Sequence, residues 1–237
     1  GVSSRNKIMI NPIDFVKALN KAKIRFVTGV PDSLLKEVCG CIDKKFGKNK
    51  HIIATNEGSA VALSIGHYLA TKSPALVYMQ NSGLGNSFNP IVSLADPKVY
   101  GIPIILMIGW RGEMGDHGKQ IHDEPQHKKQ GLITISQLKT VGIPFRIINN
   151  RTKKINILLK DLKNLAIKRK GPVAILVRKK TFSNFVISKK SKDKNYISRE
   201  QAIKEIIKKL PKNLIVVSTT GMISRELFEL RKMNKQK

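Results

Sequence analysis

HIIATNEGSAVALSIGHYLATKSPALVYMQNSGLGNSFNPIVSLADPKVYGIPIILMIGW, residues 51–110, decides the fold. In all that length only Lys72 and Lys98 are basic and only Glu57 and Asp96 acidic, so the block reads as the buried centre of the molecule. His51–Thr55 has the short β-branched pattern of a strand, and Gly58–Leu69 that of a helix rich in small residues. Ala75–Met79 is a second strand, followed by a glycine loop and an apolar segment to Leu94. Pro103–Trp110 is a continuous apolar run, the signature of a parallel strand covered on both faces.

The same alternation extends outward in both directions. Upstream, Asn11-Pro12 supplies an N-cap with proline in the first turn of a helix, followed by a strand over Ile24–Val30 and a helix through Leu34, Leu35 and Val38. Downstream, a strand at Phe145–Ile148, a lysine-rich helix over 152–169 and a strand at Val173–Val177 complete the set. Strands alternating with helices predict an α/β domain, a three-layer parallel sheet with helices on both faces, over residues 11–178. Residues 1–10 read as a loose arm and 179–197 as a basic linker. Ser198-Arg-Glu-Gln201 is a capping box opening an amphipathic helix, followed by a strand at Leu214–Ser218 and a helix from Gly221. One helix–strand–helix unit cannot bury its own sheet, so 198–237 reads as the start of a second α/β domain.

The chain has 237 residues, room for one large domain or two small ones, with an apolar fraction of 41% that supports a sizeable core. No run approaches the ~20 apolar residues of a membrane span, and no signal-peptide pattern opens the chain. Cys39 and Cys41 are too close for an ordinary disulfide, so a reducing compartment, the cytoplasm, is expected. The 44 basic residues exceed the 16 acidic ones by 28, and 25 of the basic residues lie in 151–237. Such a field attracts anions, but aromatic residues at 5% are too sparse to interleave as base-stacking platforms, which argues against nucleic acid.

In parallel sheets ligands bind beyond the carboxyl ends of the strands, and three loops there hold candidate chemistry. Gly29-Val-Pro-Asp32-Ser33 reads first as a turn with a helix cap. Glu57 is a carboxylate at a helix start, where the dipole alone would favour it by ~0.3–1 kcal/mol. Its apolar setting also suits a carboxyl of raised pKa that exchanges a proton with a bound ring nitrogen. Asn81-Ser82-Gly83-Leu84-Gly85-Asn86 lacks the third glycine of a dinucleotide fingerprint but would let a ligand approach the backbone closely. The polar stretch after Trp110 holds His117, His122 and His127 and reads as a lid. Its spacing fits no helical zinc motif, and His67 reads as a core histidine.

The words FVTGVPDSLLK, IIATNEGSAVALSIGHYLAT, YMQNSGLGNSFNPIVSLADP, IPIILMIGWRGEMG and DEPQH together resemble the thiamine-diphosphate-dependent decarboxylases that act on phosphonopyruvate and sulfopyruvate; VSTTGMISRELFEL resembles the opening of their second domain. The resemblance implies a pyrimidine-binding domain in which Glu57 hydrogen-bonds the aminopyrimidine ring and promotes the imino form that activates the thiazolium carbon. It implies that Asn81, Ser82, Gly83, Leu84, Gly85 and Asn86 shape the pyrimidine pocket, with Asp32 across the cleft as a proton-transfer group. Arg111, His122 and His127 would bind the phosphonate or sulfonate of a small 2-oxo acid. The family holds the cofactor diphosphate through Mg²⁺ with a G-D-G…N motif in its second domain. Gly115-Asp116-His117-Gly118 does not match it, so no metal ligand is expected here. The resemblance then implies a fragment, a truncated copy or one subunit of a split enzyme, in a homo-oligomer or with a separate diphosphate-binding subunit. The contrasting expectation is an inactive remnant that binds polyanions through its basic C-terminal third.

Overall fold

The computed structural model describes residues 9–115, 117–186, 196–211, 213–219 and 221–234, which fall into two compact units divided between Ile187 and Ser188. The first unit is built on six parallel strands: β1 Val27–Gly29, β2 His51–Ile53, β3 Ala75–Gln80, β4 Ile104–Gly109, β5 Phe145–Ile148 and β6 Val173–Val177. Their order across the sheet is β2-β1-β3-β4-β6-β5. Helix α1 Pro12–Lys21 precedes β1, and five helices connect the strands: α2 Lys36–Phe46, α3 Glu57–Thr71, α4 Gly83–Pro90, α5 Pro125–Thr140 and α6 Ile155–Arg169.

Alternation along the central strands makes the two cores. Leu76 and Tyr78 of β3, Ile105 and Met107 of β4, and Val173, Ile175 and Val177 of β6 face α1, α2 and α6, meeting Phe15, Leu19, Ile42 and Leu162. Val77 and Met79, Ile104, Leu106 and Ile108, and Ala174 and Leu176 face the other way, onto Ala60, Val61, Leu84 and Leu138. Every residue of β4 and β6 is buried, as a strand covered on both faces requires. The three-layer α/β expectation therefore holds.

Several expectations change in detail. The strands expected over Ile24–Val30 and His51–Thr55 contract to three residues each, because β2 is an edge strand and β1 pairs with it only over Val27–Gly29. The glycine loop closes at Gly83, where α4 begins, and the apolar segment behind it is a π-helical turn over Ile91–Ala95. The arm is anchored at its end: Ile10 bridges Phe182 in parallel, and residues 1–8 lie outside the described residues. Residues 179–186, expected in the linker, pack on the first unit. Phe182 sits edge-on to Phe15 at 5.3 Å, and the Phe185 amide donates to Glu37 at 2.6 Å.

The second unit holds α7 Arg199–Lys209 and α8 Met222–Met233, joined by an Arg199–Glu226 ion pair. The Ser198–Gln201 capping box forms as expected. Leu214–Ser218 does not form the expected strand, since no neighbour is present among the described residues to accept a ladder, and Ile215 and Val217 are 88% and 92% exposed. Among the described residues no helix is long and apolar enough to cross a membrane.

Candidate active site

The chain leaves β1 for β2 on one side and returns past it to β3 on the other. The switch point of the sheet therefore lies beside β1, at the carboxyl ends where ligands of such sheets bind. Four loops converge on this end: after β1 with Asp32, after β2 with Glu57, after β3 with Gln80–Asn86, and after β4 with Arg111.

Asn56 caps α3 through the Ser59 amide at 2.8 Å, which fixes Glu57 as the first helical residue. The carboxylate is half-buried rather than enclosed in a dry cleft. Asn86 donates to its Oε2 at 2.9 Å. The remainder of the side chain lies against bare backbone: a Cβ on Gly83 would come within 2.4 Å of Glu57 Cγ and 2.7 Å of Oε1. Glycine at position 83 is what lets the carboxylate occupy this place, and the helical start after Ser82 is what puts Asn86 within reach.

Asp32 is buried. It caps the 3₁₀ turn Ser33–Leu35 through the Leu34 amide and accepts from Gln80 Nε2 at 2.9 Å, while Ser82 donates to Gln80 Oε1 at 2.9 Å. This relay ties β1 to β3 across the switch point. Burial pushes the Asp32 carboxyl up, against the opposing pull of the Gln80 and Leu34 hydrogen bonds and the Arg111 charge. It is therefore both the cap read from its loop and a carboxyl suited to holding a proton.

The remaining predicted residues divide. Asn81 is fully buried with its side chain engaged inside the protein: Nδ2 donates to the Arg111 carbonyl and to Thr134 Oγ1, each at 2.9 Å, and Oδ1 accepts from the Arg111 amide at 3.2 Å. It braces the ends of β3 and β4 against α5. Leu84 is a core residue, whereas Ser82, Gly85 and Asn86 are exposed on the same face as Glu57.

Arg111 is not a free guanidinium. It makes a bidentate pair with Asp123, Nε–Oδ2 2.8 Å and Nη2–Oδ1 2.5 Å, and donates to Ser33 Oγ at 2.9 Å. Asp123 also accepts the Gly112 and Glu124 amides, so the stretch expected as a lid is strapped down, and from Pro125 it is helix α5. Glu113, buried, pairs with Arg178 at 2.6 Å, and Trp110 donates to the Gly131 carbonyl at 3.0 Å. Gly131 permits this close seating, since a Cβ there would collide with the Gly112 carbonyl. His122 is exposed at the rim of a cleft of about 460 Å³ that it shares with Arg111, Asp123, Glu124, Lys128 and Lys179. His127 is half-buried in the first turn of α5, and burial together with the Arg111 charge holds its ring below the usual histidine range. Lys128 and Lys179 were not among the predicted residues, and nothing in their local sequence separates them from the other surface lysines.

The Arg111 hydrogen bonds hold Asp123 well below the usual carboxylate range. A carboxylate depressed in the folded state contributes stability above its unfolded pKa, and that contribution is lost as pH falls through the folded value. Asp123→Asn should therefore cost about 1–2 kcal/mol at pH 7, the scale of a charge-assisted hydrogen bond at a partly exposed site. The gap between the two proteins should narrow progressively below about pH 4. Denaturant titration across pH 3–7 measures this.

The model of the thiamine pyrophosphate enzyme N-terminal TPP binding domain matches residues 14–133. Phosphonopyruvate decarboxylase of Streptomyces viridochromogenes is 28% identical over 94% of this chain and 57% of its own length. Sulfopyruvate decarboxylase subunit alpha of Methanococcus maripaludis is 38% identical over 68% of this chain and 90% of its own length. The chain thus spans little more than half of the first relative. The crystal structure of benzoylformate decarboxylase from Polynucleobacter necessarius superposes on 84% of this chain and 36% of its own, with a TM-score of 0.57 at 17% identity, which speaks to fold alone. The site end of this sheet, with Glu57 at the head of α3, lies within the matched residues, and the chain belongs to the thiamine pyrophosphate enzymes through their N-terminal TPP-binding domain.

Proposed function

We propose that this chain supplies the pyrimidine-activating half of a thiamine-diphosphate-dependent decarboxylase that converts 3-phosphonopyruvate to phosphonoacetaldehyde and carbon dioxide. The observation that carries the reading is Glu57, held by Asn86 and pressed against the bare backbone of Gly83 at the carboxyl ends of the strands. The residues present fit an aminopyrimidine: a ring can approach the exposed Gly85, where a side chain would obstruct it, Gly83 gives the Glu57 side chain its place, and Glu57 Oε1 is the atom that would exchange a proton with a ring nitrogen. When bound, thiamine diphosphate supplies the electron sink for loss of carbon dioxide. Asp32, raised by burial and held by Gln80, is placed to keep a proton for the later transfer. Arg111 acts through Asp123 to position the loop that bears His122, while Lys128 and Lys179 add positive charge to the cleft for an oxyanion.

The diphosphate and its Mg²⁺ would be held by another domain or subunit. On this reading residues 198–234 open that second domain, and the exposed Ile215 and Val217 await a sheet. The match to a phosphonopyruvate decarboxylase across 94% of this chain, residues beyond the first unit included, supports the phosphonate substrate. Sulfopyruvate is the second reading, favoured by the higher identity to a sulfopyruvate decarboxylase alpha subunit. With a diphosphate-binding half supplied, turnover of 3-phosphonopyruvate should exceed that of 3-sulfopyruvate at least tenfold. The reverse ratio would establish the second reading, and turnover of neither would overturn both.

A further inference from the structure

A second basic cleft lies at the opposite end of the sheet. Lys23 and Arg25 precede β1, Ser73 and Pro74 precede β3, His67, Thr71 and Lys72 close α3, and Lys163 reaches in from α6; together they line a cleft of about 470 Å³. No acidic residue lines it, and among the described residues none of these four cations has a carboxylate within ion-pair distance. Lys163 donates to the Ala22 carbonyl at 2.8 Å, which fixes its ammonium close to the other charges. Its pKa is lowered by burial and by Lys23 and Arg25, so the cluster resists its own charge.

Local chemistry accounts for only part of this. Lys72 is the C-cap of α3 and Lys23 follows α1, where a cation complements the helix dipole. Both take left-handed backbone at φ 57°, which lysine adopts rarely. Arg25 and Lys163 stand at no helix end, and their convergence on the same cleft is not a matter of capping. His67, expected in the core, is instead half-exposed, stacked on Phe26 at 4.6 Å and shared with an adjoining groove lined by Ala62, Leu63 and Gly66. The hydroxyls on the rim are turned to backbone, Thr71 donating to the His67 carbonyl at 2.7 Å and Ser73 to the Lys23 carbonyl at 3.4 Å, so the cations are the groups left to meet an anion.

We propose that the cleft formed by Lys23, Arg25, Lys72 and Lys163 binds a small soluble polyphosphate, a site separate from Glu57 at the far end of the strands. Four cations around one concave wall suit two or more phosphate groups held together. The cleft is short and bounded by two helices, which favours a compact anion over an extended nucleic-acid backbone.

The test is calorimetric titration of the full chain with inorganic tripolyphosphate at about 0.15 M salt, where the Debye length of ~8 Å screens distant charges. Saturable one-to-one binding is expected. Arg25→Gln with Lys72→Gln should weaken it at least tenfold, while Lys44→Gln with Lys45→Gln, which removes the same charge from the exposed end of α2, should change it less than twofold. Both positions of the first pair are exposed, so the double variant should fold, and Lys163→Gln provides an independent check. Absence of saturable binding, equal weakening by both pairs, or tighter binding per phosphate by a mixed-sequence single-stranded oligonucleotide would each overturn the proposal.

Discussion

Replacing Glu57 with Gln should lower turnover by a complete enzyme, this chain joined by a diphosphate-binding half, about a thousandfold while leaving the fold unchanged. Gln keeps the volume of the side chain and an oxygen that can accept from Asn86 at its 2.9 Å position. It cannot take up or release a proton, and a positioned proton-transfer group is worth about 10²–10⁴ in rate. The stability cost should stay within ~0.5 kcal/mol, because Glu57 is only half-buried and its side chain lies outside the two cores. Steady-state turnover beside a thermal melt separates the two effects. A variant that keeps a tenth or more of the activity would remove Glu57 from the chemistry.

The second large effect is expected at Gly83. A Cβ at this position would lie 2.4 Å from Glu57 Cγ and 2.7 Å from Cδ and Oε1, so Gly83→Ala must push the carboxylate aside. Displacement by an ångström can cost about 10²-fold in rate when the group must meet a reacting atom. Helix propensity runs the other way, since Ala in place of Gly in a helix gains up to about 1 kcal/mol. The expected signature is a hundredfold fall in kcat with a melting temperature little changed. Gly66→Ala, on α3 with open space around a new Cβ, should leave kcat alone. If Gly83→Ala kept full turnover, the contact between Gly83 and Glu57 would have no functional weight.

The architecture was legible because its evidence is local and repetitive. Leu76–Met79 and Ile104–Ile108 are apolar without interruption, and a sheet covered on both faces is the economical way to bury such runs. Glu57 stands out in the sequence for a related reason: it is the first of only two carboxylates in a nearly uncharged block, set between apolar runs. The helix α5 is masked in the sequence because its first turns, PQHKKQG, are polar and contain glycine, while its buried anchors Thr134 and Leu138 come late. The start of α4 was hidden by a G-x-G pattern that reads as a loop until Gly83 is seen packed against Glu57.

Interactions between distant segments were not legible at all. Arg111 looked like a cation free to meet an oxyanion, and only the folded chain brings Asp123 and Ser33 to it. Asn81 looked like part of a ligand loop, and only the approach of Thr134 and the Arg111 carbonyl shows that it is a brace. Leu214–Ser218 carries a strand pattern but has no strand neighbour among the described residues, since ladder hydrogen bonds are made between segments.

In the proposed function the Glu57 carboxylate activates the cofactor through its pyrimidine. The most direct measurement is the rate at which the proton on the thiazolium carbon exchanges with deuterium, followed by acid quench and proton NMR. It is made on the enzyme completed with a diphosphate-binding half, with and without Glu57→Gln. The account predicts an exchange rate at least a hundredfold slower in the variant, with cofactor still bound. Equal exchange rates in the two proteins would contradict it.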